Sequence, residues 1–376
     1  MKKTISYPLV LPLAIGILGS LMVPSLHAVN NFWDNVGTDW STDSNWSGTG
    51  YPDTGGDLAI FSTAAVTNPN LSQSESIARL TANSSSAQGY TLTSDNTGIS
   101  LTLGTNGIGT GSAINYTPTT GTFTIDAPVV FGAASSTTQS VNVNAASSAV
   151  YGNVILNGPV TTTNSITLDK TGGGRLTLSS SSNAWSGNMQ VSEGTLAMSG
   201  SGVLGSGNLV LNGGTFDISG ISGSSFSHSA ALIGSGTVAG GGNTLSVNGL
   251  DADVSMTLSN VTLALGGITS FDFTDPSLAV GTYDLVEGAD SSIVFAGLLA
   301  LNFSGGEYSL GDSVQIFDVG DYSGDFTGID VSGLADGQSV EFNALTGTIS
   351  IIPESKSSAS LLGLAMLLLM LRRSRR

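Results

Sequence analysis

Between its two termini the chain alternates apolar and small polar residues over roughly four to six positions, then breaks at Gly, Asn or Ser, again and again. Ser100-Leu101-Thr102-Leu103, Thr122-Phe123-Thr124-Ile125, Val141-Asn142-Val143-Asn144, Arg175-Leu176-Thr177-Leu178, Thr244-Leu245-Ser246-Val247 and Val261-Thr262-Leu263-Ala264-Leu265 all have this form. A period of two places alternate side chains on opposite faces of a strand, so each segment predicts a short strand with one buried face. No comparable helical stripe occurs outside the terminal tails. The strands recur about every 8 to 12 residues, a spacing shared by β-sandwiches and β-solenoids.

Self-similarity and the shortness of the strands separate the two. Leu209-Val210-Leu211-Asn212-Gly213-Gly214-Thr215-Phe216-Asp217-Ile218 sets two strands around a tight Asn-Gly-Gly turn, and Asn153-Val154-Ile155-Leu156-Asn157-Gly158 repeats its first half. In a parallel β-helix each coil is a few short strands joined by tight corners, where Gly supplies positive φ. The expected fold is therefore all-β, a parallel β-helix (β-solenoid) with Leu, Val and Ile stacked inside and Thr and Ser outside.

Composition narrows the chemistry. Of 376 residues 51 are Gly and none is Cys, which removes thiol catalysis, disulfide scaffolds and thiolate metal sites. A net charge of −17 argues against nucleic acid as a partner, because phosphate binding needs a basic footprint. The hydrophobic share of 40% is more than a solvated linker carries. Most of the basic residues sit in the tails (Lys2, Lys3, Lys356, Arg372, Arg373, Arg375, Arg376), leaving Arg79, Lys170 and Arg175 for everything between.

The tails read as addresses. Met1-Lys2-Lys3, an apolar stretch from Tyr7 to Val23 and then Pro24-Ser25-Leu26-His27-Ala28 follow the order of a secretory signal peptide, residues 1–28, with cleavage after Ala28. Pro8, Pro12 and Pro24 weaken the competing reading of a membrane anchor or core helix. At the other end Ile352-Pro353-Glu354-Ser355-Lys356 leads to an apolar run, Ala359 to Leu371, and then to Arg372, Arg373, Ser374, Arg375 and Arg376. That run is shorter than the ~20 residues of a settled transmembrane helix, and the arginines should hold the tail on the cytoplasmic side. This three-part layout, residues 353–376, resembles the PEP-CTERM sorting signal, which implies an exosortase-type processing protease as partner. Ser355 stands where the commonest form has a second Pro. By this resemblance Pro353 and Glu354 mark the processing region and Arg372, Arg373, Arg375 and Arg376 the tail anchor, with contact to the membrane only through the terminal segments. The competing reading is a simple membrane tail.

A second resemblance lies in the middle. Leu168-Asp169-Lys170-Thr171-Gly172-Gly173-Gly174-Arg175-Leu176-Thr177-Leu178, Asn183-Ala184-Trp185-Ser186-Gly187-Asn188 and Val191-Ser192-Glu193-Gly194-Thr195-Leu196 resemble the autotransporter-associated β-strand repeat. The unit continues through Gly202-Val203-Leu204-Gly205-Ser206-Gly207-Asn208 to about residue 218. The block holding Trp33, Trp40, Trp46, Pro52, Asp57 and Phe61 is similar to the opening of such proteins. The resemblance implies a right-handed parallel β-helix in an exported surface protein. Too little chain follows the repeat for an outer-membrane barrel, so self-transport is not carried over. The organisation expected is a Trp-containing cap at 29–62, the β-helix at 63–269 with one clear repeat at about 168–218, and a C-terminal β cap or appended module at 270–352, where the texture turns more aromatic and acidic.

Catalytic and ligand-binding candidates are sparse. A polysaccharide lyase relies on Arg or Lys, and Lys170 and Arg175 fall within the repeat, where turn and strand roles account for them. His228, apart from His27 of the leader, sits among Ser and Ala and reads as surface decoration. Asp251 and Asp253 share one strand face at i, i+2, the geometry a carboxylate pair would need, yet no aromatic sugar platform accompanies them. Asp312, Asp318, Asp321, Asp325, Asp330 and Asp336 offer oxygen ligands suited to Ca²⁺, but no calcium-loop or calcium-roll motif encloses them. The glycine runs at Thr171–Arg175 and Ala239–Asn243 open strands rather than helices, which removes a phosphate-loop reading. No catalytic, cofactor or metal residue is assigned. The expectation is a non-enzymatic structural or adhesive protein of the bacterial cell surface or extracellular matrix, with surface glycans or matrix as partners. The rivals are a polysaccharide-active lyase or hydrolase and a calcium-dependent surface module.

Overall fold

The structure, a computed structural model, describes residues 29–354 except 85, 105–111, 119, 133–137 and 148–149. The residues read from the sequence as a signal peptide, up to Ala28, and the tail from Ser355, including Arg372, Arg373, Arg375 and Arg376, lie outside the described residues.

The short alternating segments stack as parallel strands on three faces of a solenoid. On the first face Thr167–Thr171 pairs with Met189–Val191, which pairs with 209–211, then 232–234 and 250–252. On the second Asn153–Leu156 pairs with Arg175–Leu178, then 195–198, 215–217, 237–239 and 256–259. On the third Leu101–Leu103, Val129–Phe131 and Val160–Thr162 stack, and higher up Ser225–His228 pairs with 244–247 and 262–265. All of these pairings are parallel, which makes the fold a parallel β-helix. In the middle one coil takes roughly 20 residues, from Leu176 to Leu196 to Phe216.

The core is a set of columns. Leu176, Leu196, Phe216, Val238 and Leu258 stand one above another and are buried, as are Leu168, Met189, Leu209, Leu232 and Leu250. Outside, the register puts Thr195, Thr215, Thr237 and Thr257 in one column above Arg175. Like residues in register suit hydroxyls and methyls, whereas stacked like charges would repel.

Corners bring backbones too close for side chains. Gly194 has φ +66°, and a Cβ there would lie 2.4 Å from the carbonyl oxygens of Gly172 and Gly174 in the coil below. Asparagines knit the opposite corner: the Asn188 Oδ1 accepts from Asn208 N at 3.1 Å, and the Asn208 Oδ1 accepts from Ala231 N at 3.2 Å. Asn183 spans three levels, its Oδ1 accepting from Val160 N (2.8 Å) and its Nδ2 donating to the Val203 carbonyl (2.9 Å). Buried backbone groups that the ladders leave free are satisfied in this way.

The Trp-rich block closes one end. Asn30–Trp33 is the first strand of the first face, paired in parallel with Leu58–Phe61, and Trp46–Ser47 lies antiparallel across its other edge. Trp33 and Trp40 both pack edge-on to Trp46, at 5.0 and 4.7 Å between ring centroids. The parallel ladders run on beyond residue 269. Strands 268–273, Leu298–Phe303 and Gly328–Ser332 continue the first face, and 262–264, 292–294 and 321–323 the third, with coils lengthened to roughly 30 residues. A separate antiparallel sheet of Ser313–Gln315, Thr348–Pro353 and Gln338–Asn343 then covers a core of Phe295, Phe317, Phe326 and Phe342. Among the described residues no helix is long and apolar enough to cross a membrane.

Candidate functional site

The basic residues of the repeat serve the solenoid. Lys170 sits two positions after inward-facing Leu168 and therefore also points inward; its side chain is fully buried. Its Nζ donates to the carbonyls of Thr171 (2.8 Å), Gly172 (2.5 Å) and Glu193 (3.1 Å), so it ties the corner of one coil to that of the next. Burial pulls its pKa down to about 8, opposed by the charges of Glu193 and Asp169. Arg175 reaches two coils along the second face to bind Asp217, Nη2 to Oδ2 at 2.7 Å. Asp217 is held below the usual carboxylate range: hydrogen bonds from Ser219 and the Arg175 guanidinium together outweigh its burial, which is the largest single influence. Arg79 is half-buried, and its buried Nε has no hydrogen-bond partner.

His228 corrects the expectation of a surface histidine. It follows Phe226 by two positions on Ser225–His228, which turns it into the solenoid, and only 5% of it is exposed. Burial lowers its pKa, a hydrogen bond with the Gly207 backbone opposes that, and its Nε2 has no partner. No carboxylate bonds to it among the described residues, so the geometry for nucleophile activation is missing.

Asp251 and Asp253 do project together from one strand face, both exposed. Partial desolvation against the strand surface raises the pKa of Asp251 although its side chain is exposed, and the neighbouring charges of Asp272 and Asp253 add to the effect. The sequence did not single out Asp284, which is the group that organises this region. Its Oδ1 accepts from Val254 N at 3.0 Å and its Oδ2 from Asp272 N at 2.6 Å. Val254 has φ +59°, a left-handed conformation costly for a β-branched residue, at the corner between first-face and second-face strands. Asp284 thus pins a strained corner of one coil to the strand of the next. Burial pushes its pKa up to about 6 against the two backbone hydrogen bonds, with Asp272 and Asp253 raising it further. Both oxygens are committed to backbone, which leaves no free acid–base pair there.

The aspartates proposed as calcium ligands are spread along the C-terminal coils. Among the described residues no group of three or more His, Asp or Glu side chains is placed to hold a metal. Asp312 instead accepts from Ser309 N (2.8 Å), closing a turn of the antiparallel sheet. Pro353 ends the last strand opposite Gln338, and Glu354 N donates to the Gly337 carbonyl at 2.7 Å. Both are exposed, so the Pro-Glu pair stands at the rim of the folded body.

Two open polar grooves run along the solenoid corners. One, of ≈ 590 Å³, crosses three coils and is lined by Thr162, Asn164, Ser165, Ser186 and Ser206 with Trp185 and Leu204. The other, of ≈ 610 Å³, lies over the glycine corner and includes Asn142, Asn144, Glu193 and Thr215. Hydroxyls and amides dominate both, and neither holds a charged cluster.

Residues 168–198 match the family model described as Passenger-associated-transport-repeat. The matched stretch falls within the repeat read from the sequence at 168–218, and spans first-face, second-face and corner segments of consecutive coils, from Leu168 to Met198. No curated protein and no solved structure matches the chain. The chain carries a passenger-associated transport repeat, the kind found in autotransporter-associated surface proteins, built as successive coils of a parallel β-helix.

Proposed function

We propose that the protein is an exported structural or adhesive component of the bacterial cell surface or extracellular matrix, without enzymatic activity. The observation that carries this reading is the passenger-associated repeat embedded in an unbroken stack of parallel coils. A leader ending at Ala28 directs export, and the PEP-CTERM-like segment from Pro353 is the substrate of an exosortase-type protease. The exposed position of Pro353 and Glu354 supports access by such an enzyme. The polar corner grooves and the outward threonine column suit neutral surface glycans or matrix polymers, which present hydroxyls and little charge. The absence of catalysis is supported by the structural duties of Lys170, Arg175, Asp217 and Asp284.

The test is fractionation of the native host followed by intact-mass measurement. Recovery in the surface or matrix fraction with the segment after Ser355 missing is the expected result. An intact tail retained in the inner membrane would overturn the sorting reading.

A further inference from the structure

Among the described residues the last coil is uncovered on two of its three faces. Strand 321–324 pairs only with 292–295, and Gly328–Ser332 pairs only with Leu298–Phe303; among the described residues no strand covers their outer edges. The second face is closed, because Ile316 N and Phe317 N both donate to the Gly347 carbonyl of the antiparallel sheet. An open edge of unpaired amides and carbonyls is a template for another strand. A second observation points the same way: Ile329, which faces the interior in register with Leu299, is 37% exposed, where Leu299 is fully buried. The interior column is one residue short of its cover.

Charge decides what the edge accepts. Asp330 points outward from the middle of Gly328–Ser332 and is exposed, with Asp325 before the strand and Asp336 after it. Between Arg175 and Lys356 the sequence has no lysine or arginine to offset them. Two copies pairing antiparallel through this edge would bring the two Asp330 carboxylates together, which disfavours a second copy of the chain. We propose that the edge Gly328–Ser332 receives an extended basic peptide segment of a partner protein by strand addition. An apolar side chain of that segment would cover Ile329, and a Lys or Arg would face Asp330. This deepens the surface-display reading by naming a partner chemistry, and it rests on that reading.

The test uses the full chain and two dye-labelled eight-residue peptides, alternating Val-Lys and alternating Val-Glu. Fluorescence anisotropy gives affinity, and hydrogen exchange read by mass spectrometry locates the protected amides. The Val-Lys peptide should bind and slow exchange within 328–332, with binding weakened about tenfold or more in Asp330→Lys and by high salt. Ile329→Lys should weaken it as well, and because Asp330 lies on the exposed outer face, Asp330→Lys should keep the parent melting temperature. Three outcomes would each overturn the proposal: equal binding of the two peptides, protection by the Val-Lys peptide outside this edge, or protection of 328–332 that grows with protein concentration without peptide. The fractionation experiment reads export and processing alone, so failure of one result leaves the other interpretable.

Discussion

At the N-terminal end, Trp46–Ser47 lies across the outer edge of Asn30–Trp33 while three tryptophans fill the core beneath. At the C-terminal end, phenylalanines fill the core in the same way, but the antiparallel sheet satisfies the backbone of one face, and among the described residues two strand edges stay open. Covering a core and covering a backbone edge are separate tasks for a solenoid. Aromatic residues do the first by area alone, since they bury much surface in little chain. Only a strand or a loop in register does the second. Where that strand is missing, the end is blunted by carboxylates instead.

The comparison breaks most visibly in stability. Trp40 is fully buried and its Nε1 donates to the Pro52 carbonyl at 3.0 Å, so Trp40→Ala should cost about 3–5 kcal/mol. Phe342, only partly buried at the other end, should cost clearly less on truncation. Thermal melting of the two variants checks this, and equal losses would mean that the ends are closed alike. In the regular middle, Gly194→Ala forces a Cβ into two carbonyls at positive φ and should cost about 1–3 kcal/mol, read by denaturant unfolding.

Titration sharpens the contrast between middle and C-terminal coils, because the two buried groups have opposite signs. Lys170 has a folded pKa of about 8 against an ordinary 10.5, so the unfolded chain holds a proton that the fold releases, and stability should rise between about pH 8 and 10.5. Asp284 has a folded pKa of about 6 against an ordinary 3.8, so its contribution is complete below pH 3.8 and is lost as pH rises through about 6. Each slope integrates to about 3 kcal/mol. Melting temperature against pH for Lys170→Met and Asp284→Asn should show each variant losing only its own window. The smallest effect belongs to the surface: Arg175 is about one-third exposed, and Arg175→Ala should cost no more than about 1 kcal/mol and should shrink further in salt.

Much of the fold was legible because alternation is a local property. Leu176-Thr177-Leu178 and Thr244-Leu245-Ser246-Val247 announce strands by themselves, and Gly213-Gly214 announces a corner. Lys170 and His228 were harder, because position and chemistry disagree: each lies two residues from an inward apolar side chain, while its polarity suggests the surface. The alternation was the better guide. Asp284 could not be found locally, since its partner Val254 is brought beside it only by the lengthened coil between them. The Ser-Gly-Asn triplets at 186–188 and 206–208 were a usable signal for the inter-coil asparagine bonds, as repeated polar residues at a corner need partners one coil away.

The stacking of Leu176, Leu196 and Phe216 has a consequence for how such a chain can change length. An insertion of one residue within a strand turns every later side chain of that strand inside out, while an added coil leaves all registers intact. Growth by whole-coil duplication is therefore nearly free of packing conflict. Lengthening by other amounts has to be absorbed at corners, as it is in the coils that join Leu263 to Ile293 and Ile293 to Tyr322. Length in this protein is quantised along the strands and continuous at the corners, so lineages should differ by coil number in the repeat and by loop length towards the C-terminal end.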